Sequence, residues 1–265
     1  MPDQAQFFNM RIVYSVPGMD RVEVKKDLVY RTVSERSLKM DVYSPAHSDN
    51  PSPVIFLIHG GPVSPDSNLK DAQPLVSLAQ LLAASGFSAV VFNHRLLSPS
   101  HFRESAGDLA EVVRIVRERA DEFHLDKNRV AFWASSAGGP LLSPWLLQRP
   151  SYLRCVAAYS VILDLDVPFP PIATPPEDQR REFSAIRYIG EGVRKVPPIF
   201  IAKTENDHPW VNQSIARFVA EALSQNIAFQ LLARPNGHHG FEVMDDDVWS
   251  KEILERTISF YKTHL

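Results

Sequence analysis

Apolar residues along this chain recur in two rhythms that alternate over most of its length. Short unbroken apolar runs, "PVIFLIHGG", "SAVVFNHR", "RVAFWA", "CVAAYSVIL" and "PPIFIAKTE", read as strands covered on both faces. Between them lie segments with helical spacing: "PLVSLAQLLAASGF", which halts at Gly86, "ESAGDLAEVVRIVRERADEF", "GPLLSPWLLQR", interrupted early by Pro144, and "VNQSIARFVAEALSQ". "AFQLLAR" predicts a last strand and "DDDVWSKEILERTISFYKTHL" a terminal helix, with Asp245, Asp246 and Asp247 as solvated charge at its N-terminus. Val22 to Tyr43 alternates with period two and breaks near Ser34, Glu35 and Arg36, which predicts two antiparallel strands at the sheet edge. Strands that alternate with helices predict an α/β fold: one mostly parallel sheet with right-handed crossovers and helices on both faces.

One segment departs from this rhythm. Residues 164–197 open with five prolines between Pro168 and Pro176, then offer one short helical pattern from Arg181 to Gly190. Sheet elements resume directly afterward, so the segment reads as a lid inserted into a single domain spanning residues 1–265.

Composition narrows the function classes. With 265 residues, 45% hydrophobic and 22% charged, the chain has the make-up of a packed globular domain. Its net charge is −3 and its Lys and Arg residues are scattered, so no basic stripe offers itself to nucleic acid or an anionic membrane surface. No stretch approaches the roughly 20 apolar residues of a membrane span, and the N-terminus lacks a leader pattern, which leaves the cytoplasm as the expected compartment. The single cysteine, Cys155, sits in a strand pattern and reads as a buried thiol rather than a nucleophile.

The candidate chemistry lies just past the strands, where open α/β sheets place their ligands. "RVAFWASSAGGP" sets Ser135 and Ser136 side by side. A nucleophile on a sharp strand-to-helix turn needs small residues two before and two after it. Ser136 has Ala134 and Gly138 there, whereas Ser135 has Trp133, so Ser136 is the candidate. Six of the 11 glycines, Gly60, Gly61, Gly138, Gly139, Gly237 and Gly240, fall in three loops after strands, which suggests close backbone approach. The peptide N–H groups of Gly60, Gly61 and Ala137 are candidate donors to an oxyanion. His59 reads as a loop anchor. A base is expected in "RPNGHHGF": His239 is the choice, with His238 shaping the loop. Asp207 is expected to orient it, with Glu205, Asp164 and Asp166 as rivals. His94 and His101 are expected to line the pocket, as are Val167, Phe169 and Ile172 from the lid. His47, His124, His208 and His264 read as surface or turn residues.

The order Ser136, Asp207, His239 with "HGGP" upstream resembles the serine esterases of the α/β-hydrolase superfamily, over about Val22 to Leu265. It is most similar to small carboxylesterases and to dienelactone-hydrolase-like or prolyl-peptidase-like members. The elbow pattern of that superfamily is G-x-S-x-G, and here Ala134 takes the first position; dienelactone hydrolases proper carry a cysteine at the elbow, which this chain lacks. The resemblance implies an α/β-hydrolase fold and ester hydrolysis through an acyl-enzyme, with no metal or organic cofactor and a small-molecule ester as partner. A homodimer is compatible with it. Amide, formamide, thioester or peptide hydrolysis, or a catalytically silent ligand-binding protein, are the alternatives.

Overall fold

The computed structural model of the protein describes residues 4–170, 173–190 and 196–265. Eight strands build one sheet: β1 (Glu23–Val33), β2 (Arg36–Ser44), β3 (Ser52–Ile58), β4 (Ser88–Phe92), β5 (Leu125–Ser135), β6 (Leu153–Tyr159), β7 (Ile199–Asn206) and β8 (Phe229–His238). They lie in the order β1-β2-β4-β3-β5-β6-β7-β8. The pairs β1/β2 and β2/β4 are antiparallel and the remaining pairs parallel, with the hairpin at the edge as the alternation predicts.

The pleat sends successive side chains of each central strand to opposite faces. Val54, Phe56 and Ile58 of β3 enter one core, while Ile55 and Leu57 enter the other. Among the described residues eight α-helices accompany the sheet: α1 (Gln4–Asn9), α2 (Gln73–Ala84), α3 (Phe102–Glu118), α4 (Ser143–Gln148), α5 (Glu177–Phe183), α6 (Pro209–Ser224), α7 (Phe241–Met244) and α8 (Val248–His264). On the first face, Leu109, Val112, Val113 and Val116 of α3 pack with Ile215 and Phe218 of α6. On the second, Leu78, Leu81 and Leu82 of α2 pack with Ile253, Leu254 and Tyr261 of α8. Unbroken apolar runs follow from this double cover, since a strand with no wet face has no place for a polar side chain.

Local signals behave as their chemistry dictates, with three corrections. Gly86 takes φ +99°, a left-handed conformation that glycine adopts freely, and ends α2 where the pattern halts. Pro144 opens α4 rather than interrupting a longer helix, because its missing N–H is no loss in a first turn; residues Ser136–Leu142 before it form a 3-10 segment. The last strand runs on past "AFQLLAR" through His238, which pairs with Asn206. The three acids before α8 are not alike. Asp247 caps the helix by accepting from the Ser250 N–H at 3.0 Å, whereas Asp245 is nearly buried and pairs with Arg234 at 3.2 Å, so it is structural rather than solvated. No helix among the described residues is long and apolar enough to cross a membrane.

Candidate active site

β5 ends at Ser135, and the next residue turns sharply. Ser136 has φ +52°, a left-handed conformation that L-residues rarely take, so its side chain is thrown out of the strand direction. Small neighbours make the turn possible. A Cβ on Gly138 would stand 2.7 Å from the carbonyl oxygen of Ile58 and 2.8 Å from that of His59. Ala134, fully buried and in register between Ile58 and Ala158, fits its methyl into this crossing where most such turns have glycine. The loop after β3 reaches the same place: a Cβ on Gly60 would stand 2.7 Å from the Ser136 Cβ. Gly61 and Ala137 line a cavity of about 320 Å³ together with Ser136 and His239.

His239 follows β8 and Asp207 follows β7. The His239 Nδ1 lies 2.8 Å from Asp207 Oδ1, and the Asp207 side chain is wholly buried. Asp207 Oδ1 also accepts from the His208 backbone N–H at 2.7 Å. Burial disfavours the charged form of each partner, but the hydrogen bond and charge between them outweigh it. The Asp207 pKa is lowered and the His239 pKa raised. With Nδ1–H donated to the carboxylate, Nε2 is the acceptor of the ring. Glu242, in the first turn of α7, is buried near this pair; burial raises its pKa, and its charge adds to the raising of His239.

The rival carboxylates are engaged elsewhere. Glu205 Oε2 accepts from the Asn236 N–H at 2.9 Å, Asp164 pairs with Arg217 at 2.9 Å and Asp166 with Arg187 at 2.7 Å. His238 is exposed and its Nδ1 meets Asp245 at 2.8 Å.

His59 and His94 turn inward. Their rings stack with centroids 3.8 Å apart, His59 Nδ1 lies 2.6 Å from the Gly60 carbonyl oxygen, and His94 Nε2 lies 3.2 Å from that of His59. Burial pushes the His59 pKa down to about 4 and holds His94 well below its ordinary value, so a neutral pair braces the glycine loop. His94 therefore does not line the cavity. Nor does His101, whose Nδ1 is held 2.7 Å from the Ser98 hydroxyl at the start of α3. Their loop contributes Leu96, Ser98 and Pro99 instead, held in place by Arg95, which grips buried Asp108 through Nε and Nη2 at 2.9 Å each.

The segment inserted between β6 and β7 roofs the cavity with Phe169, Ala173 and Pro175. Val167 is buried in the protein rather than in the cavity wall, and Ile172 lies outside the described residues. α5 fixes the roof to α3: Gln179 Oε1 accepts from the Phe102 N–H at 3.0 Å, while Arg103 pairs with Asp178 at 2.8 Å and Glu182 at 2.6 Å. His208, Trp210 and Val211 at the start of α6 complete the wall. His208 is half-buried at the turn that opens α6, and it faces the cavity rather than open solvent. Its position beside Asp207 was the available signal, since whatever follows a residue of the site begins the next helix at the cavity edge. Cys155 is buried and its thiol pKa is pushed up by burial. Among the described residues no group of three or more His, Cys, Asp or Glu side chains could hold a metal ion.

A mostly parallel sheet with an antiparallel hairpin at its edge, a serine on a left-handed turn after β5, and a histidine–carboxylate pair after β8 and β7 define an α/β-hydrolase of the serine type. More particularly, the chain belongs to the prolyl oligopeptidase family, whose family model matches residues 100–265. A second family model, BD-FAE, matches residues 40–144. Among solved structures, esterase 2 of Thermogutta terrifontis phosphorylated by paraoxon is similar at 20% identity, with 91% of this chain and 94% of that chain covered and a TM-score of 0.71. Esterase B from Lactobacillus rhamnosis, inhibited by a tributyrin phosphonate, is 18% identical over 94% of this chain and 87% of that chain, with a TM-score of 0.75. An arylesterase is 18% identical over 91% and 85%, with a TM-score of 0.70. At these identities the likeness is one of fold. No curated protein matches the chain.

Proposed function

We propose that the protein is a serine carboxylesterase acting on small to medium, uncharged esters, with Ser136, His239 and Asp207 as its catalytic residues. The observation that carries the reading is the meeting at one cavity of a serine on a left-handed turn and a histidine held by a buried carboxylate. Ser136 Oγ bonds to the ester carbonyl carbon as His239 Nε2 takes its proton. The carbonyl oxygen gains negative charge, which the N–H groups of Ala137 and of Gly60 or Gly61 receive. As the C–O bond to the alcohol breaks, His239 returns the proton to the departing oxygen. Water then attacks the acyl-enzyme by the same route and releases the acid. Asp207 stays ionised throughout and stabilises the imidazolium. The lining holds no Asp, Glu, Lys or Arg among the described residues, which favours a neutral substrate.

A fluorophosphonate probe followed by peptide mapping tests the assignment. The adduct is expected on Ser136 and is expected to vanish, together with turnover of 4-nitrophenyl butyrate, in Ser136→Ala. Labelling at another residue would end the reading.

Family membership supports a second reading, hydrolysis of peptides or other amides by the same residues. The roofed cavity of about 320 Å³ favours the ester, because an extended peptide needs an open path on both sides of the scissile bond. Comparing a 4-nitroanilide with the matched 4-nitrophenyl ester separates the two.

A further inference from the structure

One wall of the cavity is aromatic. His208 and Trp210 stack with ring centroids 4.5 Å apart and planes 6° from parallel. Both are half-buried and both line the cavity, and Trp210 also packs against the core behind it, so the stack is a preformed surface braced from within.

Its place relative to the base decides what it touches. The His208 ring centroid lies 5.4 Å from that of His239. His239 donates through Nδ1 to Asp207, so the proton for the leaving oxygen comes from Nε2, across a hydrogen bond of about 3 Å. The alcohol half of an ester must therefore sit beside His239 at that moment, within reach of the His208–Trp210 wall. Burial, together with the neighbouring His239, lowers the His208 pKa, so this ring is neutral near pH 7. An uncharged π surface favours another flat ring in offset or edge contact over a saturated ring of equal size.

We propose that His208 and Trp210 form a shelf that selects esters of alcohols carrying an uncharged aromatic ring close to the ester oxygen, of which benzyl alcohol is the simplest. The inference rests on the esterase reading and names its substrate class. Apolar burial alone predicts the opposite order, since a cyclohexyl ring is more hydrophobic than a phenyl ring. The contrast between the two rings therefore isolates the shelf.

The test compares kcat/KM for benzyl butyrate and cyclohexylmethyl butyrate, which share an acyl group and release alcohols of similar acidity. The wild-type protein is expected to favour the benzyl ester about 3- to 10-fold. Trp210→Leu, which keeps apolar bulk without the ring, is expected to bring the ratio to one or below, and Trp210→Phe to retain the preference. Brisk turnover with a wild-type ratio near or below one overturns the shelf alone, as does a ratio that Trp210→Leu leaves unchanged. A choline ester outrunning the benzyl ester overturns it too, assigning the wall to a cation. If Trp210→Leu does not fold, the wild-type ratio and Trp210→Phe decide. Turnover of no ester at all by folded protein overturns the esterase reading, and the shelf falls with it.

Discussion

His239 carries the charge logic of the site in one ring. In the proposed mechanism it must be neutral to take the Ser136 proton, yet Asp207 stabilises its cation and raises its pKa above the ordinary histidine value of about 6.5. Activity is therefore expected to be full at alkaline pH and to fall as pH drops through a midpoint above that value, read from the pH profile of kcat/KM. Replacing Asp207 with Asn removes the influence that raises the pKa and leaves burial, which lowers it. The acid limb should then move to lower pH while kcat falls by roughly 10⁴, since the amide favours the wrong tautomer. A variant whose acid limb stays in place would show that another group titrates there.

At the scale of elements, the loop that leaves the glycine turn after β3 is tied down by a buried ammonium group. Lys70, in a short 3-10 turn ahead of α2, is fully buried and meets Asp41 of β2 at 3.1 Å, Asp71 at 2.7 Å and Asp27 of β1 at 3.1 Å. Asp41 is as completely buried as Lys70. Lys70→Met would leave that buried carboxylate with the Asp27 N–H at 2.8 Å but without its cation, and urea denaturation is expected to show a loss of about 3–5 kcal/mol. The ion pairs of Arg103 with α5 are of another kind. All three side chains are largely exposed, and such pairs are worth at most about 1 kcal/mol, so the hold on the roof comes chiefly from buried Gln179 and Phe183.

Across the whole molecule, the sheet does what no single segment can: it brings the ends of β3, β5, β7 and β8 to one edge. The strands were legible because each central one is buried on both faces and must be apolar throughout, and Ser136 stood out because only small residues permit the strand–turn crossing beside it. The destinations of the histidines were not legible. His94 and His101 follow a strand just as His239 does, but a ring that stacks on His59 or bonds to Ser98 has turned away from the cavity through contacts set by residues distant in sequence. His208 read as a surface or turn residue for the same reason, and β8 concealed its last residues because "RPNGH" carries loop-forming residues that pairing with β7 overrides.

The left-handed backbone at Ser136 has a consequence for the folded state as a whole. An L-residue held at φ +52° costs on the order of 1–2 kcal/mol, and glycine is free of that penalty. Ser136→Gly should yield an inert protein that melts slightly higher, by up to about 3 °C after the added flexibility of the unfolded glycine is set against the relief. Calorimetry would show it directly. Durability and chemistry thus pull in opposite directions on one backbone angle, and a search for hardier variants that ignores turnover should be drawn to this position.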